Sequence, residues 1–286
     1  MHTKRAPLDI RVLRYLFRSP IARLLPNLAS RLAYFLWFRT RRYPLPERER
    51  AWRDSAKKLR IPWRSTTLQL YEWGEGPVCL LLHGWNGRGT QLGAIAQALA
   101  ENGYRAVAVD LPGHGETKGH QTDVFEIADA VSTVARHYQS VHALIAHSFG
   151  NVALAWLLHR GLETKAAVFV CPPNEMSTLF DYYCRVMRIP GSVRERLAQR
   201  VDNRLGTSVW AETSTIANVA ALTVKGLVIH DRDDRELPWR FGEAVAKAWP
   251  GAEFLRTQRL GHLHLLWNDA VLQKICDFIP KPNLRN

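Results

Sequence analysis

Residues 141–159 read Val-His-Ala-Leu-Ile-Ala-His-Ser-Phe-Gly-Asn-Val-Ala-Leu-Ala-Trp-Leu-Leu-His. Val141 to Ala146 is a short apolar run suited to a buried strand, and Asn151 to His159 is an alanine-rich helical stretch. Between them Ser148 stands in Ala-His-Ser-Phe-Gly (146–150), with a small residue two positions to either side. A serine so flanked, on a turn from strand to helix, reads as a nucleophile elbow. Such a turn is tight enough to strain the serine backbone, which lifts the hydroxyl clear of the sheet and requires small neighbours. The motif ordinarily opens on glycine; here Ala146 takes that place, the smallest departure available.

Other apolar runs repeat the pattern on both sides of this segment. Val78 to Leu82 ends in His83-Gly84-Trp85-Asn86, and Arg105 to Val109 ends in Asp110-Leu-Pro-Gly-His-Gly115. Ala166 to Cys171 follows, then Gly226 to Ile229 ending in His230-Asp231-Arg-Asp-Asp234, and Gly261-His262 comes after a last segment around Phe254. Short runs of Val, Leu and Ile bounded by Gly, Pro and Asp indicate a parallel sheet buried on both faces. Helical patterns at 91–101, 125–138 and 151–159 separate them. The glycine-rich and polar punctuation follows the strands' carboxyl ends, where open α/β sheets place ligands. Thr66 to Trp73 alternates as an edge or antiparallel strand would.

On these residues the chain resembles the α/β-hydrolase superfamily over roughly 66–280. His83-Gly84, the Asp110 to Gly115 loop, the Ser148 elbow, Asp234 with Leu237-Pro238, and Gly261-His262 carry the resemblance. It implies a mostly parallel central sheet with helices on both faces and a small helical cap at approximately 172–224, roofing the active site. The expected division is an arm at 1–60 and a hydrolase domain at 61–286.

The resemblance also implies a triad in the order serine, acid, histidine, met by Ser148, Asp234 and His262. A serine hydroxyl needs a general base within hydrogen-bond reach. His147 is adjacent but, as a strand neighbour, points to the opposite face; His262 is preferred and His264 competes. His142, His159 and His230 read as structural or exposed. For the acid that orients the base, Asp234 is selected by spacing and by Leu237-Pro238. Asp231 suits loop amides better, and Asp233 and Glu175 remain alternatives. Two backbone N–H groups are needed for the developing oxyanion; the family supplies them at Trp85 and Phe149. The Asp110 to Gly115 loop reads as structural. No phosphate-cradling loop, metal-binding histidine pair or dinucleotide fingerprint is visible, so no cofactor is expected.

The 286 residues, 47% hydrophobic and 23% charged, are those of a globular protein with a substantial core. Four cysteines show no metal spacing and no disulfide framework, which suits a reducing compartment. Residues 1–64 hold 17 Lys or Arg against 4 Asp or Glu, so the whole net charge of +13 lies there. The remainder balances 22 against 22, which argues against a nucleic-acid face on the catalytic part. Leu28, Leu32, Phe35 and Leu36 are spaced for one helical face, with Asn27 as a cap, and Pro20 and Pro26 divide the stretch. No apolar run nears the roughly 20 residues of a membrane span, and no secretory signal is evident. Two readings of the arm stay open: helices packed on the body, or peripheral contact with an anionic membrane through residues 8–42.

The expected function is a cytoplasmic serine hydrolase, or one peripheral at the inner membrane surface. It would cleave a small-molecule carboxylic ester through an acyl-enzyme. The same triad serves amides, thioesters and C–C bonds. The rival from another class is a catalytically silent hydrolase-fold binding protein.

Overall fold

The apolar runs become strands of one sheet in a computed structural model, which describes residues 8–281. The strands are β1 (Lys57–Trp63), β2 (Thr66–Trp73), β3 (Val78–Leu82), β4 (Arg105–Val109), β5 (Ala143–His147), β6 (Ala166–Val170), β7 (Lys225–Asp231) and β8 (Glu253–Thr257). In space they run β1-β2-β4-β3-β5-β6-β7-β8. β1 and β2 are antiparallel, as are β2 and β4; every other pairing is parallel. Every residue of β3, β5 and β6 is buried, as continuous apolar strands covered on both faces require.

The helices in chain order are α1 (Leu8–Arg18), α2 (Pro20–Leu24), α3 (Pro26–Phe38), α4 (Glu47–Ser55), α5 (Gly93–Glu101), α6 (Val124–Tyr138) and α7 (Gly150–His159). After β6 come α8 (Met176–Met187), α9 (Gly191–Leu205), α10 (Val209–Glu212) and α11 (Thr215–Val219). Then α12 (Trp239–Ala248) and α13 (Asp269–Phe278) complete the set.

These elements divide into two units. The larger holds Thr40–Asn174 and the chain from Thr213 onward, hence the whole sheet with α4 to α7 and α11 to α13. Its core joins Leu81, Ile145, Val168 and Ile229 of the strands to Leu92, Ile95, Leu265 and Ile275 around them. The sequence boundary at residue 60 falls inside β1, whose Lys, Arg and Pro62 suit an edge strand. β1 covers β2, so the Thr66 to Trp73 segment is antiparallel but interior. Loops after β5, β6 and β7 extend the parallel pairing one step: Ser148 N donates to Val170 O at 2.9 Å, and Cys171 N to Ile229 O at 2.8 Å.

The smaller unit brings the chain up to Arg39 together with Glu175–Glu212, the helical insertion that follows β6. The first seven residues of the expected arm lie outside the described residues. Pro20 and Pro26 each open a helix, where the missing N–H costs no intrahelical bond. Asn27 is not a cap: Leu25 holds the cap position, and Asn27 Oδ1 accepts from Arg196 Nε at 3.1 Å. α3 packs on α9 and α1 on α8, burying Phe17, Ala33 and Phe38. Arg200 Nε donates to Ser30 Oγ at 3.0 Å and the Tyr183 hydroxyl to Ala33 O at 2.9 Å. Trp37 sets its ring edge-on to Phe180 and Tyr183, at 5.5 and 5.1 Å. Leu36 is half-buried, whereas Leu28, Leu32 and Phe35 of the same expected face are exposed.

Candidate active site

Ser148 leaves β5 with φ +51°, a left-handed conformation that a non-glycine residue adopts only under constraint. The constraints are visible. Asn151, one residue into α7, donates through Nδ2 to Ser148 O at 2.9 Å and to Val170 O at 3.0 Å, tying the turn to the end of β6. Gly84 lies so close that a Cβ there would stand 2.8 Å from Ser148 Cβ. A Cβ on Gly150 would meet His83 O at the same distance. These glycines therefore permit the strand-ending turn after β3 to touch the elbow after β5. Ala146, in the position where glycine is usual, is buried in β5 opposite Leu82 and Phe169.

The Trp85 and Phe149 rings meet at 4.9 Å, one from each turn. Among the described residues neither the Trp85 nor the Phe149 amide donates to a protein acceptor. Phe149 precedes the first residue of α7, so its N–H lies at the positive end of a helix. His83 holds the first turn: Nδ1 donates to Gly84 O at 2.7 Å, and Nε2 accepts the Leu111 amide at 3.1 Å. His114 accepts the Asn86 amide at 3.0 Å and donates to Pro112 O at 2.9 Å. Burial pushes His114 down to about 4 and holds His83 well below the ordinary histidine range, so both stay neutral. Asp110 accepts the amides of Gly89 and Glu116, each at 2.7 Å, and its burial pushes it up to about 6. The loop it opens is scaffolding for these turns.

The loops after β7 and β8 meet because those strands are neighbours. His262 Nδ1 lies 2.7 Å from Asp234 Oδ2, and since a carboxylate only accepts, Nδ1 carries the hydrogen. Asp234 Oδ1 accepts the amides of Glu236 at 2.8 Å and Leu237 at 3.0 Å. His230, fully buried, brings Nε2 to 3.1 Å from Asp234 Oδ2 and 3.2 Å from Leu237 O. Burial opposes the Asp234 charge, but the bonds from His230, His262 and Leu237 outweigh it together and hold the carboxyl far below the usual range. Asp231 serves the loop instead. It accepts the amides of Asp233, Leu260 and Gly261 and the Thr257 hydroxyl at 2.7 to 3.1 Å. Asp233 accepts the Arg259 amide at 2.7 Å.

No hydrogen bond joins the Ser148 hydroxyl to His262 among the described residues. The polar atom nearest His262 Nε2 among its ion-pair partners is Glu236 Oε2, at 3.8 Å and largely exposed. The link between the two halves is His147: its Nε2 donates to His262 O at 3.0 Å, and the two rings lie 4.7 Å apart. Burial and the neighbouring His262 push His147 down to about 3. His264 starts a short 3₁₀ turn with its ring 5.4 Å from that of Trp267, and among the described residues it forms no hydrogen bond to Asp234. The roles of His230 and His147 carried no sequence signal, because each depends on which loop atom its ring reaches.

Two groups bring three ligand-type atoms within 4.8 Å of one another: His147, Cys171 and His262, and Cys171, His230 and Asp234. His147 Nε2, His230 Nε2, His262 Nδ1 and the Asp234 carboxylate are engaged in the bonds just described, whereas His147 Nδ1 and His230 Nδ1 are buried without a hydrogen-bond partner. Burial also raises the Cys171 thiol well above its ordinary range, away from the thiolate that a metal requires.

Over 68 residues the chain is 38% identical to the pimeloyl-(acyl-carrier protein) methyl ester esterase of Vibrio campbellii (strain ATCC BAA-1116), covering 23% of this chain and 26% of that protein. The match thus spans about a quarter of the relative's length. A solved structure described as a membrane phospholipase A, a bacterial virulence factor, superposes with a TM-score of 0.62 at 16% identity, over 95% of this chain and 96% of that one. The thioesterase domain from the curacin biosynthetic pathway gives 0.59 at 18% identity, over 78% and 98%. Both are similar in fold. A family profile described as serine aminopeptidase, S33, matches residues 76–260, from the start of β3 through the elbow and Asp234 to just short of His262. With its eight-stranded, mostly parallel sheet, the chain belongs to the serine aminopeptidase S33 family and has the α/β-hydrolase fold.

Proposed function

We propose that this hydrolase cleaves a carboxylic ester through an acyl-enzyme, with Ser148 as nucleophile, His262 as general base and acid, and Asp234 as the group that orients His262. The 2.7 Å pairing of His262 Nδ1 with Asp234 Oδ2 carries the reading, since it fixes the tautomer that leaves Nε2 as acceptor. Ser148 attacks the carbonyl and gives its proton to Nε2. The Trp85 and Phe149 amides receive the oxyanion, and each donor of this kind contributes about 10²–10³ in turnover. His262 returns the proton to the leaving alcohol, and water repeats the cycle to release the acid. The Ser148–His262 bond closes as the substrate carbonyl seats, as such bonds tighten in the Michaelis complex. The mechanism draws on no cofactor.

Ester is chosen over amide and thioester because the matched relative is named an esterase. The four cysteines are buried and unpaired, which fits a cytoplasmic setting. Peripheral contact with a membrane surface through residues 8–42 belongs to the same proposal; no helix among the described residues is long and apolar enough to cross one. Labelling by a fluorophosphonate, followed by a panel of acyl esters of graded chain length, tests the reading. An unlabelled serine in folded protein would mark a silent binding protein instead.

A further inference from the structure

The helices before Arg39 are apolar on two sides, and only one side is covered within their own unit. Phe17, Ala33 and Phe38 are buried there, with α3 packed on α9 and α1 on α8. Yet nine of the twelve exposed large hydrophobic residues of the described chain fall between Val12 and Phe35. Leu24 is 77% exposed and Leu28 63%, and along α3 the series Leu28, Leu32, Phe35 recurs at helical spacing on the side away from Ala33, with Arg39 just past the helix end. Exposed apolar residues concentrated in one segment in this way mark a docking site.

The charge of the same segment selects the occupant. From residue 10 to residue 46 there are eight arginines and no acidic residue. Arg11, Arg18, Arg23 and Arg31 are exposed and join none of the ion pairs found among the described residues. Arg39 sets its guanidinium over the Phe35 ring, 5.3 Å from the centroid, so a cation stands beside the apolar stripe. A second copy of the chain is a poor partner, because a two-fold interface sets the same patch against itself and would oppose arginine to arginine with no carboxylate between. An anionic lipid surface answers both features, offering acyl chains to the leucines and phosphates to the guanidinium groups.

We infer that the exposed face of α1 to α3, centred on Leu24, Leu28 and Leu32, is an interfacial docking surface that seats the protein on an anionic bilayer. The inference rests on the proposed peripheral contact and gives it a face and a lipid class. The helices lie on the membrane without crossing it, while their opposite side stays packed on α8 and α9.

The test is co-sedimentation of the full chain with phosphatidylcholine vesicles, with and without about a third phosphatidylglycerol. Wild-type protein should bind only the anionic vesicles, and binding should fall at least about tenfold between 0.1 M and 1 M salt, as the Debye length drops from about 10 Å to 3 Å. Leu24→Glu with Leu28→Glu should cut binding by at least about tenfold with an unchanged thermal midpoint, because both side chains are exposed. Arg23→Gln with Arg31→Gln should weaken binding and flatten its salt dependence. Wild-type protein left in the supernatant at low salt overturns the inference, as does equal binding to both vesicle types. A wild-type dimer that Leu24→Glu/Leu28→Glu converts to monomers overturns it too, by naming a second copy as the occupant. Docking needs no turnover, so the Ser148→Ala protein should bind as wild type does. A chain that binds vesicles but hydrolyses no ester removes the ester reading and leaves this one standing.

Discussion

Asp234→Asn separates the proposed triad from its alternatives more sharply than any other substitution, because the hydrogen bonds dictate how asparagine must sit. Oδ1 of Asp234 accepts two loop amides, from Glu236 and Leu237, so the asparagine carbonyl belongs at that position. Its NH2 group then falls where Oδ2 was, 2.7 Å from His262 Nδ1. A donor there cannot face a ring N–H, so His262 must carry its hydrogen on Nε2 instead. The nitrogen that would take the serine proton thereby loses its lone pair. In the serine-protease template the equivalent wrong tautomer lowers turnover about 10⁴-fold, or roughly 5 kcal/mol of barrier. Asp231→Asn makes the comparison. Asp231 holds the Gly261 and Leu260 amides, so removing one acceptor oxygen strands a partly buried donor and should cost about 1 kcal/mol of stability. Turnover should fall far less. The assay is kcat/KM on a short-chain nitrophenyl ester, with circular dichroism and thermal melting to confirm the fold. Folded Asp234→Asn protein within tenfold of wild type would refute the reasoning, and so would an Asp231→Asn enzyme slower than Asp234→Asn.

Ser148→Ala should abolish fluorophosphonate labelling and lower hydrolysis by about 10⁴–10⁶ while the fold survives; substantial turnover in clean protein would end the assignment. Gly84→Ala places a methyl 2.8 Å from Ser148 Cβ, and displacing the turn by about 1 Å should cost on the order of 10² in kcat/KM. A fully active Gly84→Ala enzyme would show that the turn does not position the reaction. His147 is buried and neutral, pushed down to about 3, against about 6.5 for an unfolded histidine. Its stabilising effect is complete above the unfolded value and fades as pH falls toward the folded one, because the unfolded chain takes up the proton first. Between pH 7.5 and 5 that is about 2 kcal/mol. Urea unfolding of His147→Leu at the two pH values should therefore show about that much less acid destabilisation than wild type, and an equal loss in both proteins would contradict the burial argument.

The central strands were legible because full burial leaves its mark on composition: Val-Cys-Leu-Leu-Leu and Ala-Leu-Ile-Ala offer no polar face, so only a doubly covered strand suits them. β1 was not legible, since Lys-Lys-Leu-Arg-Ile-Pro-Trp is an exposed edge whose residues fit a charged linker equally well. Within the candidate site, the approach of Gly84 to Ser148 follows from the pairing of β3 with β5, and that of Asp234 to His262 from the pairing of β7 with β8. Chain order fixes neither pairing, and here the family resemblance supplied what periodicity lacks. His230 escaped notice for a related reason. It follows an apolar run and reads as structural or exposed, and only the return of the loop four residues later brings the Asp234 carboxylate to its ring.

The arm shows the limit of periodicity most plainly. α3 carries Leu28, Leu32 and Phe35 on one side and Ser30, Ala33 and Phe38 elsewhere around its axis, so size alone points to the leucine stripe as the buried one. The smaller side is the one that packs. Ser30 receives Arg200 of α9, and the Ala33 carbonyl receives Tyr183 of α8, because small residues let a neighbouring helix come close. That apolar residues tend inward is a one-way rule, and it leaves open which of two apolar faces the fold will cover. A helix with two such faces needs two partners. The insertion after β6 is one of them, and the exposed leucines beside Arg23 and Arg31 are what the proposed anionic bilayer would cover as the second.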